Sequence, residues 1–327
     1  MIWRLSDWIE TRRFVVNPIA TSRNPPVPPV TTPFLIIAGP TAVGKSDLAV
    51  AVAERCGGEI VGADAFQIYR GLETLTAQPS AELRARVPHH LVGEIPLTQS
   101  FDVAQYLRAA GERIAEIHAR GRVPIVVGGT GLYLRALTRG LANLPGADAK
   151  LRADLEKETP AELQRRLTEL DPTGAAQIDL QNPRRVIRAL EVCLLTGRPF
   201  SSFRDEWAAT PHGIRGTVLT LDRETLNTRI NQRTEAMFAA AVIEEVRAAA
   251  DVGPTARQTL GFRKIRALLA GQLDQAACLA AIQHATRRYA KRQMTWFRRE
   301  TALTPVDLAR VSDLAQLAES LARQAAG

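Results

Sequence analysis

Short apolar runs alternate with stretches of helical periodicity along this 327-residue chain. That is the pattern of a parallel sheet covered by helices on both faces. Residues 34–38 (FLIIA) form an uninterrupted apolar run and predict a buried strand. Residues 47–55 place apolar side chains at helical spacing, and Gly57-Gly58 supplies the stop. A second strand is predicted over 59–63, ending at Asp64. A long amphipathic helix over 101–120 closes at Gly121 and leads to a third strand over 123–127, which runs into Gly128-Gly129-Thr130-Gly131. From Leu141 to Ser202 the pattern is wholly helical, punctuated by prolines at 145, 160, 172, 183 and 199. Residues 218–221 return to the sheet, and everything after them reads as helix. The His89-His90 pair has no further ligand at metal spacing and is read as part of a loop.

Between the first strand and its helix lies Gly39-Pro40-Thr41-Ala42-Val43-Gly44-Lys45-Ser46, which fits G-x-x-x-x-G-K-[ST] without a mismatch. Glycines let the backbone turn tightly and approach an anion, so that loop N–H groups and the helix N-terminus face phosphates. Lys45 adds a point charge and the Ser46 hydroxyl is a ligand for Mg²⁺. Phosphate or diphosphate binding follows, whereas the loop is silent on whether a phosphoryl group moves. The predicted fold is α/β: a P-loop NTPase-like parallel sheet flanked by helices, with an inserted all-helical module and a helical C-terminal region. The core is expected over 34–140 and 217–300, the insert over 141–216 and a tail helix over 301–327. Residues 1–33 are expected to be an irregular tail or to precede the true start, with 25–29 an extended proline-rich linker.

Composition narrows the partners. A 46% hydrophobic content supplies a normal core, and the apolar runs are too short to span a membrane. Cys56, Cys193 and Cys278 are far apart and form no C-x-x-C pair, which suits a reducing, cytoplasmic setting. The net charge is +8, and 257–300 carries ten basic residues against Asp274 and Glu300. Such a segment suits a polyanion, and equally a solvated helix surface. Arg184 and Arg188 share a helix face and are open to both readings; Arg229 and Arg233 also share a face. Asp64 at a strand end is a candidate for acid–base work or outer-shell Mg²⁺ binding, or a turn aspartate. No carboxylate closes the strand over 123–127, which argues against ordinary ATP hydrolysis or a standard kinase.

Taken in order, GPTAVGKS at 39–46, GADAFQIYRGLETLTAQP at 62–79, VGGTGLYLRAL at 127–137, RRVIRALEV at 184–192, TLGFRKI at 259–265 and RYAKRQMTWFRR at 288–299 resemble the tRNA dimethylallyltransferase (tRNA isopentenyltransferase) family, bacterial type. The resemblance implies transfer of a dimethylallyl group from dimethylallyl diphosphate to N6 of adenosine 37, beside the tRNA anticodon. Partners would be dimethylallyl diphosphate and the anticodon stem-loop, with Mg²⁺ as cofactor and a monomeric, cytoplasmic protein. Carried over residue by residue, it implies that Gly39, Pro40, Thr41, Ala42, Val43, Gly44, Lys45 and Ser46 cradle the diphosphate, with Arg223 as an extra contact. It implies Asp64 as general base and Thr41 as a second catalytic residue. Asp64, Ala65, Phe66, Gln67 and Thr130 would touch the target nucleotides, and Arg184, Arg185, Val186, Ile187, Arg188, Arg257, Gly261 and Arg263 would grip the tRNA.

The chain departs from the family pattern at Ala65, where serine is usual, at Phe66, where an aliphatic is usual, and over Leu75-Thr76-Ala77-Gln78-Pro79, where glycine followed by T-A-K-P is usual. Ala65 removes a hydroxyl beside Asp64, and Gln78 removes a positive charge. The alternatives are a small-molecule or nucleotide kinase on the same loop, and a tRNA-binding protein without activity.

Overall fold

The computed structural model describes residues 28–203 and 214–326. The expectations for 1–27 and 204–213 lie outside the described residues. Strand β1, Leu35–Ala38, is central because all four of its side chains are apolar and buried. Strand β2 is Gly58–Gly62, β3 His89–His90, β4 Val123–Gly128, β5 Arg215–Thr220 and β6 Thr304–Asp307. Among the described residues they form one parallel sheet in the order β3-β2-β4-β1-β5-β6. The register pairs Ala38 with Gly128 and Gly62 with Val127, so the loops leaving β1, β2 and β4 emerge side by side at the carboxyl edge. In open parallel sheets that edge is where ligands bind.

Helix α1, Lys45–Cys56, follows β1. Helices α2, Glu73–Thr76, and α3, Ala81–Arg86, lie between β2 and β3. Helix α4, Val103–Ala119, starts in a capping box: Asp102 accepts from Ala104 N and Gln105 N, and Gln105 accepts from Asp102 N. Helix α5, Gly131–Arg139, follows β4, and its Leu137 carbonyl accepts from Val30 N at 2.9 Å, anchoring the incoming chain.

The insert contains α6, Ala149–Leu155, α7, Pro160–Leu170, α8, Pro172–Gln177, and α9, Pro183–Thr196. Leu155, Leu163, Leu167, Val186 and Leu190 make its own core. At that core Glu191, fully buried, takes Arg152, Arg188 and the Asp148 N–H. A buried carboxylate is tolerated because every acceptor direction is filled.

After the insert come α10, Arg223–Ala239, α11, Val242–Ala248, α12, Phe262–Leu269, α13, Gln275–Phe297, and α14, Leu314–Ala326. Asp222 caps α10 through Glu224 N and Thr225 N, both at 2.9 Å.

Two expectations change. The chain after residue 300 is not simply a tail helix. Thr304–Asp307 pairs with β5, and Leu321 and Ala322 of α14 join the cluster formed by Leu48, Val52 and Ile230. A proline and a single large apolar residue in TPVD hide this strand from periodicity, because an edge strand needs neither a full apolar run nor every N–H. The His89-His90 pair likewise forms an edge strand, with His90 Nε2 2.7 Å from Glu59 Oε2.

Leu321→Ala is expected to lower stability by about 2–4 kcal/mol, the usual cost of a core truncation. An unchanged urea midpoint would mean that α14 is dispensable after all.

Candidate functional site

The loop between β1 and α1 is shaped by backbone conformation. Gly39 and Gly44 have φ of 153° and 105°, and a Cβ at Gly39 would stand 2.8 Å from Leu219 O. Ala42 adopts φ 67°, the left-handed region that costs an L-residue about 1–2 kcal/mol. Strain of this kind concentrates at functional sites. Lys45 Nζ donates back to Pro40 O at 2.8 Å. Desolvation pushes its pKa down to about 8, with Arg233 acting in the same direction and Asp64 opposing both. Ser46, half-buried in the first turn of α1, offers one hydroxyl.

Helix α10 covers this loop. Arg229 Nη1 donates to Val43 O at 3.2 Å, and Arg233 Nη2 donates to Thr41 Oγ1 at 2.6 Å. Burial pulls the Arg233 guanidinium below its usual pKa, and the charge of Asp64 offsets part of that. Helix α13 contributes Gln293, whose Oε1 accepts from Thr41 N at 2.9 Å and whose Nε2 donates to Gly129 O at 2.9 Å.

Asp64 stands two residues beyond the end of β2. Its Oδ1 accepts from Phe66 N at 2.9 Å and Gln67 N at 3.3 Å, an Asx turn that fixes the carboxylate with one oxygen. Thr130, leaving β4, accepts from Ala65 N through Oγ1 at 3.0 Å, and its own N–H donates to Ala63 O at 3.2 Å. These bonds tie the ends of β2 and β4 together, and Gln293 adds the end of β1. One cleft is lined by Thr41, Asp64, Phe66, Arg233, Thr286 and Tyr289. Burial, then the charge of Asp64, push the Tyr289 phenol up, so it stays neutral.

The loop beyond Asp64 is held from below. Gln67 Nε2 donates to Thr76 O and Ala77 O at 3.1 and 2.8 Å, and Gln78 Nε2 donates to Gln67 O and Tyr69 O at 2.9 and 2.8 Å. Glu245 on α11 accepts from Thr74 N and Leu75 N at 2.7 and 2.8 Å. The Asx turn orients Asp64 through backbone N–H groups, a job that needs no hydroxyl at Ala65.

Thr41, Lys45, Asp64, Phe66 and Thr130 therefore converge, and the other expected residues stand as follows within their own units. Arg223 is exposed in the first turn of α10 and takes no part in the loop contacts. Arg229 and Arg233, one helical turn apart, hold those positions. Val186 and Ile187 are buried in the insert core at 1% and 7% exposure, so they pack rather than face a partner. Arg188 is drawn to Glu191 at 2.5 Å and to Pro145 O at 2.8 Å, whereas Arg184 and Arg185 stay exposed. Arg257 and Arg263 are exposed and line a cleft with Arg266. Gly261 is buried with φ 92°, and a Cβ there would meet Leu75 Cδ1 at 3.0 Å, so it shapes the start of α12. Sequence reasoning missed Arg233, Gln293 and Tyr289. The four-residue spacing of Arg229 and Arg233 was the available signal for the first, and the RYAKRQ run for the other two.

A model of the IPP transferase family matches residues 67–300. The chain is 46% identical over 288 residues to a tRNA dimethylallyltransferase of Geobacter sulfurreducens, covering 84% of this chain and 92% of that protein. It is 45% identical over 276 residues to a tRNA dimethylallyltransferase of Myxococcus xanthus, covering 81% and 89%. Among solved structures it is similar to the full-length tRNA isopentenylpyrophosphate transferase of Bacillus halodurans, with TM-score 0.65, 34% identity and coverage of 90% and 96%. It is also similar to a eukaryotic dimethylallyltransferase described as acting on tRNA, with TM-score 0.73, 25% identity and coverage of 88% and 77%.

Between pH 8 and 10.5 the folded protein holds fewer protons at Lys45 than the unfolded chain, so its contribution to stability rises with pH in that window. Lys45→Met is expected to stabilise the unliganded protein at neutral pH by about 1–3 kcal/mol, with the advantage shrinking as pH climbs past the lysine's pKa. Urea melts across that range check the sign.

Proposed function

This chain belongs to the IPP transferase family, and from that premise we infer how its own residues carry out the reaction. It is a prenyltransferase that places a dimethylallyl group on tRNA. We take the donor to be dimethylallyl diphosphate and the acceptor to be N6 of the adenosine beside the anticodon. The observation that carries this reading is the cleft in which Thr41 and Arg233 of the phosphate side meet Asp64 of the acceptor side.

The diphosphate lies in the loop over 39–46, where Lys45 leaves the Pro40 carbonyl for the anion. As the bond between the allylic carbon and the leaving oxygen breaks, negative charge grows on the diphosphate. Lys45, loop N–H groups and Arg233, already desolvated, stabilise that charge at little reorganisation cost. The exocyclic amine of adenine attacks the same carbon, and a new C–N bond replaces the C–O bond. The amine proton passes to Asp64, whose Oδ1 is held by two backbone N–H groups while Oδ2 remains to accept it. A neutral aromatic amine is a weak nucleophile, so much of the rate must come from alignment.

Ser46 would hold a Mg²⁺ through its hydroxyl, which suits an ion that uses few protein oxygens. When bound, Mg²⁺ would neutralise charge on the leaving group. Exposed Arg184, Arg185, Arg257 and Arg263 suit contacts to tRNA phosphates, and a splayed loop base suits the cleft beside Phe66 and Tyr289. A tRNA substrate and dispersed cysteines support action in the cytoplasm; among the described residues no helix is long and apolar enough to cross a membrane. A kinase reading is disfavoured because β4 ends in Gly128-Gly129-Thr130 rather than a metal-binding carboxylate.

Labelled dimethylallyl diphosphate with unmodified tRNA and Mg²⁺ tests the reading: label should move to RNA, and its failure to do so would defeat the assignment. Asp64→Asn should cut turnover by about 10²–10⁴-fold while sparing tRNA affinity. Lost affinity with preserved turnover would remove the general-base role. Arg184→Ala should lower the salt slope of tRNA binding by about one unit, whereas Arg188→Ala should instead destabilise the insert.

A further inference from the structure

Gln293 lies on α13, away from the motifs at the strand ends, and is 6% exposed. Its carboxamide works in both senses, accepting from Thr41 N and donating to Gly129 O, each at 2.9 Å. The fit leaves no slack. A Cβ at Gly129 would overlap the Gln293 Nε2 atom and stand 2.9 Å from Gly39 O. The phosphate loop, the turn after β4 and helix α13 therefore meet at one amide.

Two consequences follow. The Thr41 N–H is engaged by Gln293, so Thr41 offers the cleft its hydroxyl, which Arg233 orients. The Gly129 carbonyl is pinned immediately before Thr130, whose Oγ1 holds Ala65 N at the start of the turn that fixes Asp64. We propose that Gln293 is a positioning residue that sets the spacing between the diphosphate cradle and the acceptor-side carboxylate. It acts through Thr41 and Thr130 without touching substrate. The proposal rests on the reading of this cleft as the site of prenyl transfer to tRNA.

The chemistry restricts what can replace it. Leucine has the volume but neither hydrogen-bonding group. Ionised glutamate presents two acceptors, one of them to the Gly129 carbonyl, and burial then raises its pKa. Protonated glutamate again has one donor and one acceptor, the pattern of the amide.

The test uses the full chain with Gln293→Leu and Gln293→Glu. For Gln293→Leu, kcat should fall roughly tenfold or more, the scale of a small misplacement of reacting groups, with tRNA affinity within about twofold of wild type. For Gln293→Glu, the deficit relative to wild type should narrow as pH is lowered from about 8 to about 6, because protonation restores the donor. Calorimetric titration with inorganic pyrophosphate and Mg²⁺ should show weaker binding to Gln293→Leu. This last arm needs no turnover: a wild-type protein that transfers no dimethylallyl group defeats the functional reading and leaves the positioning claim measurable. The proposal is overturned if Gln293→Leu keeps wild-type kcat and pyrophosphate affinity. It is also overturned if the Gln293→Glu deficit does not change with pH, the result expected of a role in folding alone.

Discussion

Contact between backbone and backbone at the carboxyl edge of the sheet governs where the chemistry sits. A Cβ at Gly128 would overlap the Ala63 carbonyl, and one at Gly129 would stand 2.9 Å from Gly39 O. The turns leaving β1, β2 and β4 thus approach more closely than side chains permit, and glycine is required at the points of contact. Hydrogen bonds then use that closeness: Thr130 N to Ala63 O, Ala65 N to Thr130 Oγ1, and the Gln293 amide across to the phosphate loop. Parallel strands ending in register are what bring Thr41, Asp64 and Thr130 to one cleft.

Electrostatics explains why this cleft suits the departure of a diphosphate. Lys45 and Arg233 are part-buried and partly desolvated, and the lysine donates to its own loop carbonyl. A desolvated cation interacts more strongly with an incoming anion than a hydrated one does. Its stabilisation also grows as the leaving group gains charge, which is the condition for lowering a barrier rather than only binding a substrate. The charge of Asp64 offsets part of the desolvation of both cations, and in the proposed reaction it stands on the side where the proton is taken up. Alkyl transfer needs both charges in one cleft; hydrolysis would need an activated water and a carboxylate on β4.

The sheet and the phosphate loop were legible because buried parallel strands read as plain apolar runs and the loop's glycines sit at fixed intervals. Asp64 was legible as a strand-end carboxylate, although its role needed the neighbouring turns. What escaped was set by contacts between segments distant in sequence. Residues 304–307 become a strand only because β5 offers an edge. Gln293 reaches Thr41 across 252 residues, a pairing that no local pattern encodes. Arg223 was the expected extra diphosphate contact, whereas Arg233 is the arginine that reaches the loop. Helix phase separates them, since residues ten apart on an ideal helix point about 80° apart and only one of the two meets the loop. Val186 and Ile187 entered the tRNA set through the family resemblance, and their side chains are buried in the core of the insert.

Pairing, more than residue type, sorts the arginines into tasks. Arg152 and Arg188 are committed to Glu191 inside the insert, so removing either takes one of two cationic partners from a fully buried carboxylate. Arg229 and Arg233 are committed to the phosphate loop. Arg184, Arg185, Arg257 and Arg263 are exposed, and among the described residues no carboxylate pairs with them, which leaves their charge available to an anionic partner. Salt should act on the last group most strongly, because a buried ion pair is screened far less than an exposed charge. Paired charges cancel, so the balance of +8 is carried by cations outside the ion pairs. The useful quantity is the subset of cations that folding leaves unpaired, and only the folded structure separates them from their neighbours in the same motifs.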